Sequence, residues 1–353
     1  MNDFVYFCLK VLIVAFSLMN GKKGWTQQKQ YQIRTIAFYN CENLFDTIRN
    51  PKTYDEDWTP NGAKRWTKEK YEQKIANLAR VLAQIGREEN PNMPAIIGVA
   101  EVENREVLED LVLHPTLRKG NYGIVHFDSP DKRGVDVALL YAKDHFILQN
   151  ASHHTLCLYD KAHSGKRKRI YTRDQLLVSG LLDGEEMHFI VNHWPSRLGG
   201  QKRSSPNREA AARLNKKLID SLQNIHAKAK IVSMGDFNDG PLDTSIKQVL
   251  QTEGEAIKVL PLGLFNPMEK MDKKGYGTLA YRDAWAIFDQ LILTEAFLQQ
   301  EFTSWKYWKA RIFQKPFMVQ SDGLYQGYPL RNSNNEPGFS DHFPVYFYVL
   351  RAW

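Results

Sequence analysis

Short apolar runs recur along the whole chain: Ile33–Tyr39, Ala95–Ala100, Val135–Tyr141, Leu176–Leu182, His188–Val191, Lys230–Met234, Phe288–Leu293 and Val345–Leu350. Several are continuous rather than alternating, which is the pattern of strands covered on both faces. Two helical stripes lie between them. Ile75, Leu78, Leu82 and Ile85 follow one, with Thr67 placed to cap it. Leu214, Leu218, Leu222 and Ile225 follow the other, which Pro206 is expected to open. Many strands with few helices interleaved predict an α/β layered sandwich rather than a pure barrel. With 43% hydrophobic and 25% charged residues, a disordered or collagenous chain is excluded. No internal repeat or long low-complexity linker interrupts residues 31–353, so they read as one domain. Met268–Gly277 reads as a surface loop, and the aromatic-rich segment Trp305–Tyr328 fits no element.

The N-terminus carries a separate message. Val11–Met19 is an apolar block after Lys10, extended forward by Phe4 to Leu9. It is too interrupted for a membrane span, which needs about 20 apolar residues, and suits a signal-peptide core. Residues 1–24 are therefore expected to be a signal peptide and lead-in, and the mature protein to be periplasmic or extracellular. Cys8, Cys41 and Cys157 build neither a disulfide framework nor a zinc site. With Cys8 leaving in the leader, Cys41 and Cys157 read as two buried free thiols, with a bridge between them the alternative. Lys and Arg number 47 against 40 Asp and Glu, a net charge of +7 that suits a polyanionic partner. The run Lys166 to Arg169 is either a solvated hairpin tip or a phosphate contact.

Polar residues gather where apolar runs end, and strand ends are where α/β scaffolds expose chemistry. Asn40 and Glu42 follow the first run; Glu101 and Glu103 follow the second. His193 follows HFIVN, and Asp236 and Asn238 follow KIVSMG. Asp289 opens FDQLIL, and Asp341 and His342 precede the last run. Carboxylates converging without partners raise each other's pKa, and a divalent cation relieves that repulsion. Oxygen-only ligands point to Mg2+ or Mn2+, with Ca2+ an alternative, and away from zinc. Histidines and asparagines beside such acids suit the hydrolysis of a phosphate ester.

The segments FYNCENLFD (38–46), GVAEVEN (98–104), VNHWPSR (191–197), GDFND (235–239) and SDHFPV (340–345) resemble the endonuclease/exonuclease/phosphatase superfamily, in the family's chain order. The resemblance runs from about residue 33 to 350. It implies a four-layered α/β sandwich of two packed mixed β-sheets flanked by helices, as in deoxyribonuclease I, with the site at one edge. It also implies roles. Glu101, Glu42 and Asp341 would hold one or two Mg2+ ions. Asn40 and Arg173 would bind the substrate phosphate, and, apart from the resemblance, the Arg197 guanidinium suits a bidentate phosphate clamp. Asp236 and Asn238 would orient or deprotonate the attacking water. His193 and His342 would serve the leaving oxygen, with Asp289 holding the His193 ring. A surface salt bridge is the rival role for Arg197. Arg133 and Asp136 would line the cleft unless Asp136 is a buried hydrogen-bonding group, and Glu103 would stand behind the ligands. Trp194 and Trp285 are expected in the core rather than stacked on bases.

The superfamily includes nucleases, inositol-phosphate phosphatases and sphingomyelin phosphodiesterases, so the catalytic set alone does not choose a substrate. The positive charge, the absence of a long apolar hairpin and the basic stretch RLGGQKRSSPNR (197–208), read as a loop along a phosphate backbone, favour nucleic acid. YRDAWAIFDQLIL points faintly toward the inositol phosphatases, while Asp239-Gly240-Pro241 departs from that branch. A non-catalytic binding module on the same fold is the reading from another class.

Overall fold

Alternation at period two inside the apolar runs decides which side chains meet. In the computed structural model, which describes residues 30–160, 168–333 and 336–353, Ile36 and Phe38 point one way while Ala37 and Tyr39 point the other, and both sets are buried. The proposed leader lies outside the described residues. In chain order the elements are β1 (Tyr31–Leu44), α1 (Lys68–Leu82), β2 (Ile96–Val102), α2 (Arg105–Leu113), β3 (Tyr122–His126), β4 (Asp136–Ala142), β5 (Phe146–His154), β6 (Leu158–Asp160), β7 (Lys168–Ile170), β8 (Gln175–Leu182) and β9 (Glu185–His193). They continue with α3 (Gln201–Ile225), β10 (Ile231–Asp236), β11 (Thr252–Glu253), β12 (Leu264–Phe265), α4 (Met268–Asp272), β13 (Leu279–Tyr281), β14 (Ala284–Ala286), β15 (Asp289–Thr294), β16 (Lys306–Ile312) and β17 (Val345–Ala352).

Two mixed sheets result, ordered β16-β17-β1-β2-β4-β3 and β11-β12-β15-β10-β9-β8-β5. Their facing sides share one core that includes Phe38, Ile96, Val178, Phe189, Met234, Leu291 and Phe347. The outer side of the first sheet packs on α1 and α2 through Tyr39, Val99, Leu78, Leu82 and Leu108. The outer side of the second packs on α3 through Ile190, Ile292, Ala211 and Ile219. This is the expected four-layered sandwich. Each sheet holds one parallel pair at its centre, β1 with β2 and β9 with β10. The carboxyl ends of both pairs open at the same edge of the sandwich.

Thr67 caps α1 as expected, its side chain accepting from the Lys70 N–H. Elsewhere local sequence misleads. α3 begins at Gln201, after the positive-φ glycines Gly199 and Gly200, so Pro206 lies inside the helix and forfeits a hydrogen bond there. Its buried stripe runs through Ala211, Ala212, Asn215, Leu218 and Ile219, and Ile225 is exposed. Most of the basic stretch 197–208 is therefore helix rather than loop. Met268–Gly277 begins as α4 with Met268 fully buried. Trp305–Tyr328 opens with β16, the edge strand on β17. Cys41 and Cys157 are both free, as expected, but only Cys41 is buried; Cys157 is exposed, which corrects its expected burial.

Candidate active site

Strand register brings distant residues together. His193 ends β9 opposite Asp236 at the end of β10, and Asp289 starts the antiparallel β15 opposite Asp236 on its other side. In the first sheet Asn40 of β1 stands opposite Ala100, one residue before Glu101. β17 runs antiparallel with Val345 opposite Phe38, so Asp341 and His342 arrive beside Asn40. The Ser340 hydroxyl seals this approach by donating to the Asn40 carbonyl at 2.7 Å and accepting the His342 N–H at 3.0 Å.

The backbone is strained where it aims these groups. The β1–β2 ladder shifts register between Asn40 and Leu44, a bulge in which Glu42, Asn43 and Glu101 all have positive φ, at 50°, 53° and 58°. Asn238 also has positive φ, and its N–H donates to Asp236 Oδ1 at 2.9 Å. Gly235 is required beside Asp236, because a Cβ there would meet the Asn192 carbonyl oxygen at 2.2 Å.

Asp236 is the hub. Its Oδ2 accepts from Asn40 Nδ2 at 3.1 Å and faces His193 Nε2 at 3.7 Å and His342 Nε2 at 3.9 Å. Glu101 Oε2 accepts the Asn43 N–H at 3.0 Å, and its Oε1 lies 3.6 Å from His193 Nε2. Burial raises Asp236 to about 6; the His342 charge works against this and the Asp289 charge adds to it. The two histidines are driven apart. Burial alone would lower His342, but Asp289, Asp341 and Asp236 outweigh it and hold it well above the usual range. Burial, reinforced by Arg173, Arg133 and His342, pushes His193 well below it. One imidazole is thus kept cationic and the other neutral, which separates an acid from a neutral partner.

A model of the Endonuclease/Exonuclease/phosphatase family matches residues 35–351. The chain belongs to this family. No curated protein sequence matches the chain. Among solved structures, zebrafish (D. rerio) TDP2 complexed with single-strand DNA product superposes with a TM-score of 0.53 at 14% identity, covering 90% of this chain and 99% of that one. A Bacteroides thetaiotaomicron endonuclease/exonuclease/phosphatase family protein gives 0.53 at 16% identity, covering 92% and 97%. The human Nocturnin catalytic domain with bound sulfate gives 0.50 at 17%, covering 92% and 98%. At such identities the likeness is one of fold.

Several expected roles change in this family member. Asp289 holds His342, with Oδ2 2.6 Å from Nδ1, and not His193. Arg173 is buried and spends its nitrogens on the carbonyls of His193 and Trp194 and on Asp131, so it fixes the end of β9 rather than facing a phosphate. Arg197 donates to the Asn238 carbonyl, Asp239 and Asp243, and its guanidinium lies 4.4 Å from the centre of the Phe288 ring; it serves the salt bridge, not a phosphate clamp. Arg208, in the same basic stretch, is fully buried against Asp239 at 2.6 Å. Asn40 is equally committed, its Oδ1 accepting the Glu42 N–H while its Nδ2 holds Asp236.

Glu42 is less free than expected of a metal ligand. Its Oε2 accepts the Asn332 N–H at 2.8 Å and lies 3.7 Å from the ammonium of the fully buried Lys74; its Oε1 lies 3.9 Å from Arg331. Burial and the Asp341 charge push Glu42 up to about 8 against the pull of Lys74. Arg331 also reaches Asp341 at 3.3 Å. Lys74, Arg331 and Asn332 escaped the sequence reading, although Lys74 had a signal: it sits on the apolar face of α1, four residues before Leu78. Asp136 is buried and takes hydrogen bonds from Ser129, with His126 at 3.0 Å, the second of its two anticipated roles. Glu103 accepts the Asp46 N–H at 2.7 Å behind the site. Trp194 is core, but Trp285 is 40% exposed, stacked at 6.1 Å from Phe343.

Proposed function

We propose that residues 31–353 form one phosphodiesterase domain that hydrolyses nucleic acid by in-line attack of water on phosphorus, with a divalent cation. The observation that carries this reading is the buried Asp236 carboxylate held by Asn40 and Asn238 between two histidines of opposite protonation bias. Asp236, with its affinity for a proton near 6, is matched to take one from water at neutral pH. His342, kept cationic by Asp289, delivers a proton to the leaving oxygen. Neutral His193 turns Nε2 into the same cleft toward Asp236 and Glu101, with its backbone carbonyl held by Arg173.

The donor set fits a hard dication. Among the described residues Glu101 Oε1 has no hydrogen-bond donor closer than His193 at 3.6 Å and Arg133 at 3.9 Å, and Asp341 is a third exposed, with Arg331 at 3.3 Å. Glu101 and Asp341 would hold Mg2+ or Mn2+, which supplies charge neutralisation on the phosphoryl oxygens when bound.

Nucleic acid is favoured as substrate by the net charge of +7 and by the single-strand DNA product named in the TDP2 structure. Export through residues 1–24 rests on the sequence alone. Among the described residues no helix is long and apolar enough to cross a membrane.

The test offers plasmid DNA, RNA, inositol phosphates and sphingomyelin in parallel, with Mg2+, Mn2+, Ca2+ or EDTA. Metal-dependent cleavage of DNA or RNA, lost by orders of magnitude in Asp236→Ala with the fold intact, is expected. Cleavage of inositol phosphate or lipid alone would overturn the substrate. No turnover on any substrate would favour a binding module.

A further inference from the structure

Beside the Glu101–His193 side of the cleft, three exposed tyrosines alternate with two cations. The Lys132 ammonium lies 5.9 Å from the centre of the Tyr54 ring and 5.8 Å from that of Tyr171. The Arg169 guanidinium lies 5.4 Å from the Tyr171 ring and 5.9 Å from Tyr159. The order is Tyr54, Lys132, Tyr171, Arg169, Tyr159, with Tyr54, Tyr171 and Tyr159 64%, 46% and 50% exposed.

This ladder is anchored to the catalytic residues. The Tyr54 N–H donates to the Lys132 carbonyl at 2.8 Å, and the next residue, Arg133, lies 3.9 Å from Glu101. Tyr171 precedes Arg173, whose Nε donates to the His193 carbonyl, by two residues. Arg169 stands opposite Tyr159 in the β6–β7 ladder. Among the described residues neither Lys132 nor Arg169 pairs with a carboxylate, unlike Arg173, Arg197 and Arg208. Residues 161–167, which precede β7, contain no Asp or Glu.

Cations without acids, interleaved with exposed flat rings, suit a polyanion that also carries flat rings. A duplex hides its base faces, whereas a single strand offers them for stacking while its phosphates meet the cations. Building on the nucleic-acid reading above, we propose that Tyr54, Lys132, Tyr171, Arg169 and Tyr159 bind single-stranded nucleic acid beside the scissile phosphate. Lys132 and Arg169 take phosphates, and the ring surface that they leave exposed takes bases.

The test separates binding from chemistry. Binding of fluorescein-labelled oligo(dT), oligo(U) and a DNA duplex to the full chain is followed by anisotropy in EDTA. Hydrolysis of bis(p-nitrophenyl) phosphate with Mg2+ reports the catalytic centre. Tyr171→Ala is expected to raise the single-strand Kd about tenfold, as for the loss of one stacked base. Tyr171→Phe should restore it, and duplex binding and small-diester turnover should not change. Lys132→Gln with Arg169→Gln should flatten the salt dependence of binding by a slope of roughly 0.7 per cation. Unchanged single-strand Kd in Tyr171→Ala, or an equal loss on duplex, would overturn the ladder alone. If the unaltered protein hydrolyses the small diester yet binds no oligonucleotide, the nucleic-acid reading falls with it.

Discussion

Lys74→Met is the most informative single change, because it tests whether Glu42 belongs to the protein's own cation or to a bound metal. Lys74 is fully buried, and its ammonium donates to the Phe339 carbonyl at 3.0 Å and to Asn332 Oδ1 at 3.1 Å while facing Glu42 at 3.7 Å. Methionine matches the length of the stem and removes the charge. Breaking a buried ion pair by deleting one partner costs about 3–5 kcal/mol, since the remaining charge is left uncompensated; with Glu42 held up at about 8, that cost is read above pH 8, where the carboxylate is ionised. Arg331 and the Asn332 N–H still face Glu42, so the low end, about 3 kcal/mol, is expected. Glu42→Gln in the same background removes the stranded carboxylate. The double variant should then be more stable than the sum of the single losses by about 1–3 kcal/mol. Urea unfolding in EDTA measures all four species without metal. A Lys74→Met cost under about 1 kcal/mol, or simple additivity with Glu42→Gln, would refute the pairing and return Glu42 to the metal. The functional corollary is that Glu42→Gln changes Mn2+ affinity less than threefold, whereas Glu101→Gln weakens it at least tenfold, by titration calorimetry.

Asp289→Asn removes the charge that, against burial, keeps His342 cationic. Turnover should fall about 10²- to 10⁴-fold, with the alkaline limb of the rate profile moving to lower pH; an unmoved limb would place the acid elsewhere. Glu103 gives a stability test. Burial holds its carboxyl at about 8 in the folded protein, above the ordinary value of about 4.3, so its contribution is present below that ordinary value and is lost as pH rises toward 8. Glu103→Gln should therefore gain stability relative to the unaltered protein between pH 5 and pH 8, and a flat difference in unfolding free energy would contradict the buried, protonated carboxyl. Arg208→Met leaves Asp239 without its fully buried partner and should cost about 3–5 kcal/mol by urea unfolding, with Arg197 still in reach to soften it; no loss would mean that Arg197 suffices.

The strand ends were legible because the apolar run and the polar residue that stops it are neighbours in the chain. Asn40, Glu101, His193, Asp236, Asp289 and His342 could all be picked out that way, and the fold gathers them at one edge. Partnerships were not legible. Asp289 is opposite Asp236 by register, yet its side chain crosses to the other sheet to hold His342, a choice made by sheet-on-sheet packing. Arg173 and Arg197 have the residue type of a phosphate clamp, but nearby groups claim them first: the buried Arg173 guanidinium must be satisfied by the protein itself, and the half-buried Arg197 lies against Asp239 and Asp243.

What the chain determined by itself was local: the period-two runs, the Thr67 cap and the acids, amides and imidazoles at the strand ends. The tertiary structure decided which of those groups are left unclaimed. That depends on distances between elements far apart in sequence, as between Lys74 and Glu42 or Tyr54 and Lys132, on burial, which keeps His193 neutral, and on the carboxylates that outweigh burial at His342. Residue type limits the chemistry a position can perform, and the neighbours that folding supplies select among the possibilities.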